Sequence, residues 1–252
     1  MNWSAFIGRL VRMGLQLAVA GWLYWLWHSH GLSDRIAGEA EGLNTLVTLI
    51  GSIYAVIFAF VIFVIWGQFT DVEKFMMQEC KSLNELVRFS GFLNADAGRR
   101  VRRAVAEYVS LVVESEWPAL GERHRDRGAE EAFSKLFDCV LRAGPGRPEE
   151  IGVCARLVDI VREAGEHRDE RLTKSLTQIP ATLIHLVHTM ALALFLLVFV
   201  YPFHLFVAGL CCFLLVGVIL SLANLVMTDT DNPFQGIYNV SPAAFGDLRS
   251  QG

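Results

Sequence analysis

Charge is nearly missing from both ends of this chain. Of its 22 Lys and Arg residues, 18 lie between Gly67 and Pro180, and so do 20 of its 26 Asp and Glu residues. The whole is 53% hydrophobic and only 19% charged. Length alone would suggest two soluble domains, but this segregation is what a bilayer-embedded protein with one water-facing insert requires. A basic excess is also lacking. The net charge is −4, so nothing points to nucleic acid. Cysteine is sparse and unpatterned: Cys80, Cys139, Cys154, Cys211 and Cys212 make no CxxC pair and no metal spacing. They read as small buried apolar residues. The chain has no G-x-S-x-G, P-loop, G-x-G-x-x-G or HExxH motif, so no catalytic residue, bound metal or cofactor is expected. It has no alternating strand pattern, no repeat and no low-complexity tract.

What is present is an all-α membrane pattern. No charge occurs from Gly42 to Thr70. A bilayer core needs about 20 apolar residues, so a span is expected over about 44–66. A second charge-free run, Ser175 to Thr228, is long enough for two crossings. Tyr201-Pro202-Phe203-His204 divides it as a turn, because proline lacks an N–H and aromatics favour the interface. That leaves spans over about 181–200 and 205–227. The first apolar segment, about 13–30, is shorter. Arg9 and Arg12 precede it, where they can snorkel to headgroups, and Trp22, Tyr24, Trp25 and Trp27 cluster at its far end. Its rival reading is a signal peptide cleaved near Ala18-Val19-Ala20. Four transmembrane helices are therefore expected within 1–66 and 181–228. An α-helical cytoplasmic domain over 67–180 is inserted between the second and third, and a cytoplasmic tail covers 229–252. Basic residues flank the insert and the N-terminus, whereas the first loop carries only Arg35. This puts both termini in the cytoplasm of an inner-membrane, multi-pass protein.

Helical spacing recurs through the insert. Val72, Phe75, Met76, Leu83, Leu86 and Val87 continue from the second span. Val101, Val105, Tyr108, Leu111 and Val112 mark a helix ending near Trp117-Pro118. Phe133, Leu136, Phe137, Val140 and Leu141 mark a third. Ile151, Ala155, Val158, Val161, Leu172, Leu176 and Ile179 mark a fourth, which Pro180 is expected to kink. Arg168-Asp169-Glu170-Arg171 reads as a charge run near that helix's end. Arg99, Arg100, Arg102 and Arg103 read either as a solvated face or as a contact for anionic lipid.

Three groups are candidate functional residues. Ile50, Tyr54, Ile57, Val61, Val64 and Gln68 lie 4, 3, 4, 3 and 4 residues apart. This 3.5-residue repeat suggests a helix packed around an axis with copies of itself. If the copies leave a lumen, these side chains line it, and Ile57, Val61 and Val64 make a dewetting constriction. Thr48, Ser52, Ala55 and Ala59 form a separate small-residue stripe suited to close packing. His185 and His188, with Thr189, are intramembrane polar groups. They read as neutral histidines bonded to a neighbouring helix, as a pore or proton element, or as a weak metal pair. Asp229, Asp231, Asn232, Pro233 and Phe234 follow the last span. They suit an Asx-type turn that stops the helix, or a ligand site.

Trp66-Gly67-Gln68-Phe69, Glu114-Ser115-Glu116-Trp117-Pro118, Ile179-Pro180, and Asp229-Thr230-Asp231-Asn232-Pro233-Phe234-Gln235-Gly236 followed by Val240-Ser241-Pro242 occur in this order. Together they resemble the bestrophin-like family of bacterial membrane proteins, over roughly Asn44 to Phe245. Bestrophins proper are pentameric anion channels whose pore is lined by the second span. The resemblance therefore implies a homo-oligomer, pentameric by analogy, that conducts anions. The Asn-Pro-Phe match is followed by Gln235-Gly236-Ile237-Tyr238 rather than an acidic run, which argues against calcium gating. The alternative is a non-conducting scaffold or sensor whose cytoplasmic helices bind a protein partner.

Overall fold

Proline and glycine decide where the helices stop. The computed structural model describes residues 3–234 and 239–249, and the regular elements among them are all helical. In chain order they are α1 (Trp3–Ser29), α2 (Leu32–Arg35), α3 (Ala40–Ser90), α4 (Ala95–Leu111), α5 (Trp117–Gly121), α6 (Arg127–Leu141), α7 (Ile151–Leu176), α8 (Ala181–Val200), α9 (Phe206–Thr230) and α10 (Ala243–Arg249). Gly31 turns the chain after α1 with φ 65°, a left-handed conformation that glycine adopts without steric cost. Asn94 caps α4 and Asp126 caps α6, each side chain accepting the backbone N–H three residues on. Pro180 does more than kink a helix. Thr177 leaves α7 in an extended conformation, and Pro180 itself is extended before α8. Proline blocks its own N–H and biases the preceding residue away from helix. Tyr201 before Pro202 ends α8 in the same way.

The chain divides into two compact units. The apolar unit comprises Met1–Trp66 and Gln178–Asp231, and the charged unit comprises Gly67–Thr177 and Asn232–Gly252. The 51-residue α3 runs through Gly67 without a break and contributes to both.

Among the described residues, three helical stretches are long and apolar enough to cross a membrane: within Ala37–Ser90, within Pro148–Val200, and Phe206–Thr230. They correspond to α3, α8 and α9. The 27-residue α1 has the length, but Arg12, Gln16 and His28 leave it less apolar. In the apolar unit Tyr24 is buried in stacked contact with Phe206 and Phe213 and edge-on to Phe199. Glycine makes this packing possible. A Cβ at Gly209 would lie 2.0 Å from the Tyr24 hydroxyl, and one at Gly217 2.8 Å from Leu17. A second cluster joins Tyr54, Val61 and Ile65 of α3 to Ile179, Val187 and Met227. Cys211 and Cys212 are exposed on α9 and Cys139 and Cys154 half-buried, so only Cys80 fits the expected burial.

The charged unit has one core. Val72, Met76, Leu83 and Leu86 of α3 meet Val101, Val105, Tyr108 and Val109 of α4, Leu136 of α6, and Leu157, Ile160 and Val161 of α7. Between α4 and α5, Val112–Glu116 form a π-helical turn. Pro118 has no N–H to offer the carbonyl four residues back, and the turn ahead of it widens. The tail packs into the same core through Phe234, Val240, Phe245 and Leu248.

Candidate functional site

The heptad face of α3 points into its own chain. Tyr54 and Val61 are buried, Ile57 is half-buried against the same cluster, and Ile50, Val64 and Gln68 are half-buried. Tyr54 and Val61, expected on their spacing to line a lumen, pack inside the single chain. Within the chain this face packs against Val187 of α8 and Met227 of α9. At about 100° per residue the opposite side of α3 carries Thr45, Thr48, Ser52, Ala59 and Phe63. All five are exposed, Phe63 by 76%, with Val56 beside them at 71%. The hydroxyls of Thr45 and Ser52 donate to the carbonyls of Glu41 and Thr48, at 3.0 and 2.7 Å. Their polarity is thus partly met within the helix.

His188 is half-buried, and its Nδ1 lies 2.7 Å from the Ile184 carbonyl of its own helix. This local contact engages one of its two ring nitrogens. His185 and Thr189 are exposed, and the Thr189 hydroxyl donates to the His185 carbonyl at 2.8 Å. Among the described residues no group of three or more His, Cys, Asp and Glu is placed to hold a metal ion.

Asn232 makes the tail turn. Its Oδ1 accepts the Phe234 N–H at 3.1 Å while its Nδ2 donates to the Gly121 carbonyl at 2.8 Å. Pro233 and Phe234 are buried, and Phe234 packs edge-on to Trp117 with centroids 5.0 Å apart. Trp117 Nε1 donates to the Val240 carbonyl at 3.1 Å, and Phe245 meets the same indole edge-on. Asp229 is also buried, and Asp231 is half-buried. The expectation drawn from Gln235-Gly236-Ile237-Tyr238 lies outside the described residues.

Sequence reasoning missed a closed ring of buried ionic side chains in the charged unit. Arg171 Nε donates to Glu79 at 2.7 Å, and its Nη2 donates to Glu116 at 2.7 Å. Arg168 Nη1 donates to Glu116 at 2.6 Å and to the Tyr108 hydroxyl at 3.1 Å. The Tyr108 hydroxyl in turn donates to Glu79. Two carboxylates and two guanidiniums balance. Trp117 and Phe245 cover the Arg171 guanidinium, centroids 5.7 and 5.6 Å away. Burial, with Glu79 next to it, holds the Tyr108 hydroxyl well above its usual range. Burial works against the charge on Arg171, but Glu79 and Glu116 outweigh it and hold the guanidinium protonated. The charge run Arg168-Asp169-Glu170-Arg171 is therefore split between two faces: Arg168 and Arg171 are 4% and 0% exposed, whereas Asp169 and Glu170 are exposed. One signal was available. Leu157, Val161, Ala164, Arg168, Arg171 and Ser175 continue one 4, 3, 4, 3, 4 stripe, as do Val72, Met76, Glu79, Leu83, Leu86 and Ser90.

Apolar helices of membrane-crossing length, joined through α3 to a helical unit with an ionic core, define a helical integral membrane protein. The Bestrophin-like domain matches residues 18–245, and the chain belongs to that family. Crystal structures of a bacterial bestrophin homologue from Klebsiella pneumoniae share its fold. One mutant form has a TM-score of 0.71 at 12% identity, covering 95% of this chain and 97% of that chain. A second mutant gives 0.70 at 12% over 96% and 95%, and a further structure of the homologue 0.68 at 12% over 97% and 96%. No curated protein matches in sequence.

Proposed function

We propose that this protein is an oligomeric ion channel, anion-conducting, whose pore is lined by α3. The observation that carries the reading is the exposed face of that helix. Threonine, serine and alanine are poor choices for contact with lipid tails. They suit either close helix approach or a wetted path. Thr48, Ser52 and Val56 face outward from a protomer whose opposite α3 face is already occupied, so the lining face differs from the heptad face. Family membership supports assembly around an axis, with five copies as in bestrophins proper. Lys and Arg flanking the charged unit support a cytoplasmic location for it and for both termini in an inner membrane, with α1 as the fourth crossing. Asn232-Pro233-Phe234 serves as a structural anchor for the tail in this reading. The test is chloride flux from liposomes containing the purified protein. Ser52→Leu should cut flux about tenfold or more, while Ile53→Leu, whose side chain is replaced by one of similar size, should leave it near wild type. A monomer, or no flux above empty liposomes, overturns the proposal.

A non-conducting scaffold is the second reading, favoured by the open arginine face of α4. Arg99, Arg100, Arg102 and Arg103 border an open cavity of about 720 Å³ with Asp96 the acidic residue among its lining. A protein partner lost from Arg100→Ala and Arg103→Ala variants, with no flux from the intact protein, would favour it.

A further inference from the structure

The apolar unit is not apolar at one end of the α1–α9 pair. There Arg12 and Gln16 of α1 face Ser221, Asn224 and Thr228 of α9 across a cavity of about 250 Å³. The remaining lining, Met13 and Leu225, is apolar. No carboxylate among the described residues pairs with Arg12. A guanidinium within a membrane segment requires an anion, water or a headgroup. The Thr228 hydroxyl is used by its own helix, donating to the Asn224 and Leu225 carbonyls at 3.0 and 3.1 Å. The Asn224 side chain is not so used: its Oδ1 is buried and has no hydrogen-bond partner. A buried amide atom in that state is expected to meet a group the chain itself does not supply.

Depth along the helices points to the occupant. Arg12 lies 17 residues before Ser29, the end of α1. At 1.5 Å per residue that is about 25 Å, close to the ~30 Å hydrocarbon thickness. The cavity therefore lies about one hydrocarbon thickness from the far end of α1, at headgroup level. We propose that it binds the headgroup of a membrane phospholipid. Arg12 supplies the positive charge for the phosphate, Gln16, Ser221 and Asn224 supply polar partners, and Met13 and Leu225 meet the first methylenes of the acyl chains. A free phosphate shares the charge but has nothing to place against the two apolar residues.

The test is native mass spectrometry of the full chain extracted in mild detergent, then of delipidated protein mixed with phosphatidylglycerol. Wild type should carry phospholipid at about one per chain. Arg12→Gln and the isosteric Asn224→Asp, whose carboxylate repels a phosphate and neutralises Arg12, should each weaken binding about tenfold or more, the effect of losing one charge-assisted contact. Arg35→Gln, on the short helix after α1, should bind as wild type. If Arg12→Gln does not fold, Asn224→Asp still decides. Lipid binding unchanged in a folded variant overturns the proposal, as does wild type that takes up no phospholipid. Displacement of the lipid by millimolar inorganic phosphate also overturns it in favour of a free-anion site.

Discussion

Two buried tyrosines show how differently the two units are built. Tyr24, in the apolar unit, lies among Phe199, Phe206 and Phe213 with Gly209 beneath its hydroxyl. Tyr108, in the charged unit, donates to Glu79 and accepts from Arg168. The first site depends on shape, on aromatic faces and a missing Cβ. The second depends on balance, because each charge is buried only while its partners are present. Errors should therefore propagate differently. A size change in the apolar unit is felt locally, whereas loss of one ring member in the charged unit leaves several groups unsatisfied at once.

That contrast can be broken or sharpened by substitution, read as thermal unfolding in detergent. Arg171→Leu should have the largest effect, about 3–5 kcal/mol, because it leaves Glu79 and Glu116 buried with a charge deficit. A neutral loss would mean that the ring is dispensable. Tyr108→Phe keeps the ring's charges and removes one hydroxyl, so about 1.5–3 kcal/mol is expected from hydrogen bonds to charged groups. Gly209→Ala should cost about 1–3 kcal/mol by overpacking against Tyr24. The double variant Gly209→Ala with Tyr24→Phe should recover part of this if the clash is with the hydroxyl. Lys174→Ala removes a half-exposed pair with Asp71, N–O 2.9 Å, and should change stability by only about 0–1 kcal/mol. Cys80 reports on the same ring. Burial, together with Glu79, pushes its thiol up to about 12 against the opposing effect of Arg171. The thiol stays protonated in the folded state at pH 8, where an unfolded cysteine with a pKa near 8.5 begins to ionise. Loss of Arg171 raises the thiol of the folded state further, so peptide mapping after alkylation at pH 8 should find Cys80 unlabelled in wild type and labelled in Arg171→Leu only through unfolding of the destabilised variant.

Much of the architecture was legible in local pattern. Charge segregation marked the apolar and charged stretches, and Pro202 marked a helix end, whereas Pro180 was expected to kink a helix that in fact stops at Leu176. Three of the four expected spans carry enough apolar length, and α1 is the more polar exception for reasons visible in Arg12, Gln16 and His28. The candidate site was legible only in part. The α3 repeat falls on a face that packs within the chain, and a 3.5-residue period by itself does not distinguish another copy from the chain's own α8 and α9 as the partner. Arg168 and Arg171 were passed over because Asp169 and Glu170 between them look like solvent. The stripe on which the arginines fall was the stronger signal, since position on a helix face outweighs neighbours in sequence.

By itself the sequence determined what repeats every few residues: helical class, apolar segments, capping residues and the breaks at proline. Those follow from backbone sterics and from the free energy of burying apolar surface, which act over one or two turns. Only the tertiary structure decided which face of α3 is occupied, that the tail is anchored under Trp117, and that the ionic ring closes. Arg171 and Glu79 are 92 positions apart, and Trp117 and Val240 are 123 apart. No local rule links such positions. Their pairing depends on how the helices fold back, and on the free-energy cost of leaving a buried charge without an opposite one.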